Sequence, residues 1–319
     1  MSYSRITGTG SFLPAKLVTN QDLAARVETS DEWITSRTGI KSRHIAADDE
    51  TCSELSFQAA QQAIEAAGVT AQDLDFIVVG TFTPDSPLPS TACMLQAKLG
   101  AVGAAAFDVQ AACSGFVYSL ALADKMVSSG QSKCALVVGA DVLSGVTDWS
   151  DRKTCVLFGD GAGAAIVQPS KAPGILSSHL HADGSLGPLL KINGGLRNGK
   201  FNGHPFMEME GQAVFKVAVR VLEDVCREAL DANKMSSSDI DWFIPHQSNM
   251  RILTATAERL GLPMERVMQT VAHQGNTSAA SVPLALDEAV RDGRIRKGQN
   301  VLLAGVGGGM TWCSLMMKW

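Results

Sequence analysis

Two α/β halves packed through their helices in a five-layered αβαβα order is the fold this sequence predicts, and three observations predict it. An internal repeat comes first: Asp73-Leu74-Asp75-Phe76-Ile77-Val78 matches Asp239-Ile240-Asp241-Trp242-Phe243-Ile244, and KCALVVGAD (133 to 141) matches QNVLLAGVG (299 to 307) at the same sequence offset. The strands come second. IVVGTF, ALVVGA, FIPHQ and VLLAGVG are apolar without alternation, as strands covered by helices on both faces are. Composition comes third: 45% of the 319 residues are apolar and 18% charged, with Gly and Ala abundant and aromatics at 6%, which suits a large, tightly packed core.

Taken in order, each copy of the repeat pairs a helix-like stretch with a buried strand. SELSFQAAQQAIEAAG leads into the first and AVRVLEDVCREALDANK into the second. The boundary is placed in the Gly/Pro-rich stretch from Pro169 to Gly211, giving halves of 1–170 and 171–319. DGSLGPLLKINGGLRNGKFNGH, rich in Gly and Asn, is expected to be an irregular loop near the substrate.

Charge and cysteine usage narrow the function. A net charge of −5 argues against a nucleic-acid partner. The start, MSYSRITGTGSFLPA, lacks the long apolar core of a secretory signal. The longest uncharged, mostly apolar run, Val109 to Ala123, is too short for an ordinary membrane span. A cytoplasmic location off the membrane is therefore expected. The seven Cys (52, 93, 113, 134, 155, 226 and 313) are odd in number, widely spaced and without CxxC, against a disulfide framework or a zinc site.

Three turns hold side chains that chemistry can use. In FDVQAACSGFVYSLALADKM a short strand ends at Ala111-Ala112, and Cys113-Ser114-Gly115 opens a long helix. A Cys there sits in the field of the helix N-terminus, which favours thiolate, and the neighbouring N–H groups can bind an oxyanion. A buried structural Cys is the competing reading. His246, in DWFIPHQSNMRI, stands at the carboxyl end of the repeat's second strand, where α/β sheets place functional groups; a hydrogen-bonded loop His is the alternative. Asn276, in AHQGNTSAASVP, is either functional or the N-cap of the helix it opens. His273, its rival, is expected in a turn or the core. Gly307, Gly308 and Gly309 follow a strand and allow close backbone approach or positive φ. No GxxxxGK[ST] occurs, so these glycines are not read as a phosphate loop, and FGDGAGAAIV (158 to 167) matches no phosphate motif either.

Together these segments resemble β-ketoacyl-ACP synthase III, a family of decarboxylating condensing enzymes in the thiolase superfamily. The resemblance runs over the whole chain: ITSRTGI (34 to 40), QAACSGF (110 to 116), FGDGAGA (158 to 164), EGQAVFKVAV (210 to 219), IPHQSNMRI (244 to 252), QGNTSAASVP (274 to 283) and VGGGMTW (306 to 312). It implies a thiolase-like fold and a Cys-His-Asn triad at Cys113, His246 and Asn276. Elongating synthases and thiolases have a second His where this chain has Asn276. The backbone N–H groups of Cys113 and Gly308 would form the oxyanion hole.

Further roles also follow from the resemblance. Thr29, Trp33, Arg37, Arg152, Gly211 and Asn249 match the coenzyme A path. Trp33 with Arg37 also reads as an ordinary surface cap on a helix starting at Ser30. Lys216, Arg220, Arg251 and Arg259 match or lie near a docking surface for acyl carrier protein; a solvated helix face is the alternative. Leu88, Phe215 and Val306 belong to the primer pocket, Leu88 reaching it across a homodimer interface that Thr91–Leu99 and the strand near Ala105 would form.

The implied reaction joins an acyl-CoA primer, with acetyl-CoA favoured, to malonyl-ACP and initiates fatty-acid biosynthesis, with no metal or redox cofactor. The rival is a paralogue with the same triad that takes an aryl or longer primer for secondary metabolism. A non-catalytic acyl-carrier binding protein is the rival from another class.

Overall fold

The computed structural model describes residues 3–319. The first half runs β1 (Tyr3–Phe12), β2 (Lys16–Thr19), α1 (Asn20–Ala24), α2 (Asp31–Thr38), β3 (Ser42–Ile45), α3 (Cys52–Ala67), β4 (Phe76–Gly80), α4 (Thr91–Leu99), β5 (Ala105–Val109), α5 (Gly115–Ser128), β6 (Ala135–Asp141) and β7 (Gly161–Ser170). The second runs β8 (Ile175–Ala182), β9 (Leu190–Arg197), β10 (Lys200–Met209), α6 (Gly211–Ala232), β11 (Trp242–Pro245), α7 (Met250–Leu260), α8 (Val271–Gln274), α9 (Ser281–Arg291), β12 (Asn300–Gly307) and β13 (Thr311–Lys318).

The first half builds a five-stranded sheet in the order β1-β7-β6-β4-β5, and the second a four-stranded sheet in the order β8-β13-β12-β11. The pairings match strand for strand. β7 is antiparallel to β1 and β6, as β13 is to β8 and β12; β4 is parallel to β6, as β11 is to β12. Where β5 lies parallel to β4, the second half has a single parallel bridge from Phe243 to Val267. The repeated Asp residues account for the matched registers. Asp73 and Asp239 each accept the backbone N–H three residues earlier at 2.8 Å, closing a tight turn. Two residues on, Asp75 accepts the N–H of Lys133 at 2.7 Å and Asp241 that of Asn300 at 2.8 Å, so each pins the neighbouring parallel strand at its start.

Strands β4 and β6 are buried at every residue, as their unbroken apolar sequences require. Helices α5 and α9 lie between the sheets, and their apolar faces join Val78, Val137, Ile244, Leu303 and Leu315 in one core. Outside the first sheet α3 and α4 bury Leu55, Ala59 and Leu95. Outside the second, α6 and α7 bury Leu222, Cys226 and Leu260. The order is αβαβα. Helices α1 and α2 with the β2–β3 ribbon form a smaller cluster around Leu23, Ile34 and Ile40.

One expectation is overturned. The Gly/Asn-rich stretch is not irregular: after a short turn over 184–189 it forms the antiparallel hairpin β9–β10. Asn198 and Gly199 make its tip, with φ of 53° and 70°. Asn-Gly supplies the two positive φ values that a two-residue hairpin turn needs, and its twist suits the flanking strands. Among the described residues, no helix is long and apolar enough to cross a membrane.

Candidate active site between the two halves

Cys113, His246 and Asn276 line one cavity of about 1340 Å³, together with the Gly307–Gly309 turn. Each arrives from a different element. Cys113 lies in a tight turn between β5 and α5, after Ala112, whose φ is 46°. A non-glycine residue in that region is strained, and such strand-to-helix turns push a nucleophile out of the backbone. His246 follows β11 and is fixed by its N–H to Ala304 O at 2.7 Å. Asn276 stands between α8 and α9, its backbone bonded to Leu157 and Gly159 at 2.9 and 3.0 Å.

The polarity of two of these side chains is set by their neighbours. His246 Nδ1 lies 2.6 Å from Ser281 Oγ, which also accepts the Gln247 N–H at 3.3 Å. In the tautomer in which Ser281 donates to Nδ1, the imidazole proton sits on Nε2. Burial pushes the His246 pKa down to about 3, so the ring is neutral near pH 7. Asn276 Oδ1 accepts the Ser278 N–H at 2.9 Å, which leaves its Nδ2 as donor. Asn276 is not the N-cap of α9, which is Ala280; its Oδ1 instead closes a local turn on Ser278, and that bond orients the amide.

The thiolate expected at Cys113 is not the resting state. The side chain is 8% exposed, and burial pushes the thiol up to about 12. A hydrogen bond from Ser278 Oγ at 3.3 Å opposes that rise, and the nearby Asp141 carboxylate adds to it. Desolvation outweighs the helix N-terminus here.

At the glycine turn, the close approach is made by Gly307: a Cβ there would lie 2.7 Å from the Cys113 nitrogen. Positive φ falls on Gly309 (76°) and Met310 (44°), and Gly308 faces the cavity beside Leu190. His273 is neither in a turn nor in the core. It sits on the last turn of α8, half exposed, paired with Glu288 at 3.0 Å.

Trp33, Arg37, Gly211, Phe215, Lys216, Asn249, Arg251 and Val306 also line the cavity. Thr29, Leu88, Arg152, Arg220 and Arg259 do not. Arg152 packs on Trp33 with its guanidinium 4.9 Å from the ring centre, and Arg37 does the same at 5.1 Å. The half-buried Thr29 keeps a buried hydroxyl without a hydrogen-bond partner. Arg251 lies 5.4 Å over Phe215, and Lys216 and Arg220 are exposed one turn apart on α6. Arg259 is exposed and shares Glu223, at 2.8 Å, with Arg227 at 3.0 Å, so the three side chains keep one net positive charge. Leu88 is 86% exposed. Ser278, Ser281 and Asp141 were not singled out from the sequence. The two serines are short polar side chains inside QGNTSAASVP, two and five positions beyond Asn276, and that is the only sequence signal they give.

Known proteins resemble this chain over nearly its whole length. Residues 107–184 match the family described as 3-oxoacyl-[acyl-carrier-protein (ACP)] synthase III, and residues 230–319 match its C-terminal part. A relative from Xanthomonas campestris pv. campestris, a β-ketoacyl-[acyl-carrier-protein] synthase III, is 58% identical over 99% of this chain and 98% of its own. The crystal structure of 3-oxoacyl-[acyl-carrier-protein] synthase III from Aquifex aeolicus is 45% identical, covers 99% of this chain and 100% of its own, and superposes with a TM-score of 0.94. The priming β-ketosynthase of the R1128 polyketide pathway is 37% identical over 99% of this chain and 96% of its own, also with a TM-score of 0.94. The chain belongs to the β-ketoacyl-[acyl-carrier-protein] synthase III family of thiolase-like condensing enzymes.

Proposed function

We propose that the chain is a cytoplasmic acyltransferase that condenses an acyl-CoA primer, acetyl-CoA first among them, with malonyl-ACP, initiating fatty-acid biosynthesis without a metal or redox cofactor. Cys113 Sγ attacks the primer thioester, its proton leaves with the CoA thiolate, and an acyl-enzyme remains. The N–H groups of Cys113 and Gly308 hold the oxyanion. Malonyl-ACP then loses CO₂, and the electrons of the broken C–C bond pass into an enolate. The enolate carbon attacks the acyl group, Cys113 leaves as thiolate and takes a proton from water, and β-ketoacyl-ACP is released.

The observation that carries this reading is the paired polarity of His246 and Asn276. Asn276 Oδ1 is occupied by the Ser278 N–H and so offers Nδ2 as donor; His246 Nδ1 is bonded to Ser281 Oγ, and in the tautomer that accepts there Nε2 is a second donor. Two neutral donors stabilise an enolate oxygen without protonating the carbanion. Trp33, Arg37 and Arg152, with Thr29, Gly211 and Asn249, hold coenzyme A. Lys216, Arg220, Arg251 and Arg259 receive the acidic carrier protein. Phe215 and Val306 line the primer path, and Leu88 completes it from a second copy in a homodimer. The open edge of β5 and the exposed Leu88, Val102 and Phe107 support that assembly.

A second reading, a paralogue priming a specialised pathway, draws on the 37% likeness to the R1128 ketosynthase. A panel of acyl-CoA primers with malonyl-ACP, followed by product mass, separates the two. Acetoacetyl-ACP as the main product supports housekeeping initiation. Turnover of aryl or long primers alone supports the second reading, and no β-ketoacyl product from any primer overturns both.

A further inference from the structure

Each half of the molecule has a turn with a non-glycine residue at positive φ. Ala112 (46°) precedes Cys113, and Ser278 (52°) precedes Ala279. The two turns stand at the same sequence offset as Asp73 and Asp239, so Ala279 holds in the second half the place that Cys113 holds in the first. Under the reading above, the Cys113 N–H faces a developing oxyanion. The Ala279 N–H already has an anion, Asp141 Oδ2, at 3.1 Å.

The other oxygen, Oδ1, accepts from Thr81 Oγ1 at 3.0 Å, Phe82 N at 3.0 Å, Thr83 N at 3.2 Å and Thr83 Oγ1 at 2.9 Å. Thr83 Oγ1 accepts the Val142 N–H at 2.8 Å, which frees its own proton for the carboxylate. Asp141 is fully buried, and among the described residues no salt bridge reaches it. Burial without a cation pushes the Asp141 carboxyl up, and the hydrogen bonds from Phe82, Ser278, Ala279 and Thr83 oppose that rise, so the ring of donors is a cradle for its charged form. It joins the end of β6, the Phe82 wall of the cavity and the turn into α9.

We propose that Asp141 is a positioning residue for the condensation: its carboxylate fills the second half's anion cradle and fixes the Asn276–Ser278 turn against the nucleophile turn. Ala279, which it holds, directly follows Ser278. Ser278 Oγ touches Cys113 Sγ at 3.3 Å, and Ser278 N fixes Asn276 Oδ1 at 2.9 Å. A shift of this turn moves the enolate donor and the thiol's hydrogen bond together. The role rests on the proposed condensation, but the placement does not.

The test is Asp141→Asn, which keeps the shape but turns an amide N–H toward groups that are themselves donors. CO₂ release from malonyl-ACP should fall in kcat by about tenfold or more, the scale of a displaced oxyanion donor. KM for malonyl-ACP should stay within about twofold, since the docking cations lie on α6 and α7. A second readout needs no substrate: the pH dependence of Cys113 alkylation by iodoacetamide, followed on its own peptide. The titratable groups facing Asp141 are the thiols of Cys52 on α3 and Cys113. Removing the charge should move the Cys113 profile to lower pH.

A lower melting temperature with unchanged kcat and an unchanged alkylation profile would reduce Asp141 to a core carboxylate and overturn the proposal. If Asp141→Asn does not fold, Thr83→Val removes one donor to Oδ1. It should lower decarboxylation more than acyl transfer to Cys113, and parent behaviour in both overturns the proposal. If the parent protein itself releases no CO₂, the functional reading fails, and the alkylation profile still decides the placement.

Discussion

At the scale of single residues, environment decides more than identity. His246 is neutral because it is buried, and its pKa near 3 lies below the ordinary 6.5. The unfolded chain therefore binds more protons across that window. Stability from this group is full above the unfolded value and is lost as pH falls below about 6.5, with a slope of at most about 1.4 kcal/mol per pH unit. Melting temperatures between pH 7 and pH 5 check this. The parent should lose more stability on acidification than His246→Gln, which has no proton to gain; equal losses would mean that the imidazole does not titrate in this window. Cys113 teaches the same lesson in reverse. Its place at a strand-to-helix turn was legible from small residues and a following amphipathic helix. Its protonation was not, because it depends on burial by the folded chain and on two partners distant in sequence, the Ser278 hydroxyl that lowers the pKa and the Asp141 carboxylate that raises it.

At the scale of elements, the strands and helices were legible wherever their signal was local. Unbroken apolar runs gave β4, β6, β11 and β12, and the repeated Asp-x-Asp segments gave the duplication, while the bonds by which Asp75 and Asp241 pin neighbouring strands are visible only in the fold. The β9–β10 hairpin was missed although Asn198-Gly199 announced it, because its strands are Gly-rich near the tip and their alternation is confined to Leu190-Lys191-Ile192 and Met207-Glu208-Met209. The partnership of Ser281 with His246 had no local signal at all: it spans from α9 to the end of β11. Elements α6 and α7 together carry the cations at the mouth, and charge reversal there is informative. Arg251→Glu should raise KM for malonyl-ACP roughly tenfold at low salt, and KM for acetyl-CoA much less, because a reversed docking charge weakens encounter with an acidic partner. Raising the salt should shrink the difference. Equal effects on both substrates would assign Arg251 to the coenzyme path alone.

At the scale of the whole molecule, duplication explains why the site exists where it does. The turns into α5 and α9, related by the repeat, meet in the central layer, and β11 delivers His246 between them. In the proposed reaction the first half brings the nucleophile, and the second brings both donors and the glycine turn. Holding the acyl group and releasing CO₂ are therefore separable tasks. Removing the nucleophile should spare decarboxylation, and removing a donor should spare acylation. The most direct measurement of this claim is paired: CO₂ release from malonyl-ACP without primer, and acetyl-enzyme mass without malonyl-ACP, for Cys113→Ala and Asn276→Ala. Cys113→Ala should form no acetyl-enzyme yet still release CO₂. Asn276→Ala should accept acetyl on Cys113 but lose decarboxylation by roughly 10²-fold, the scale of a lost oxyanion donor. Decarboxylation at the parent rate in Asn276→Ala would contradict it, and would leave Asn276 as nothing more than the cap of its own turn.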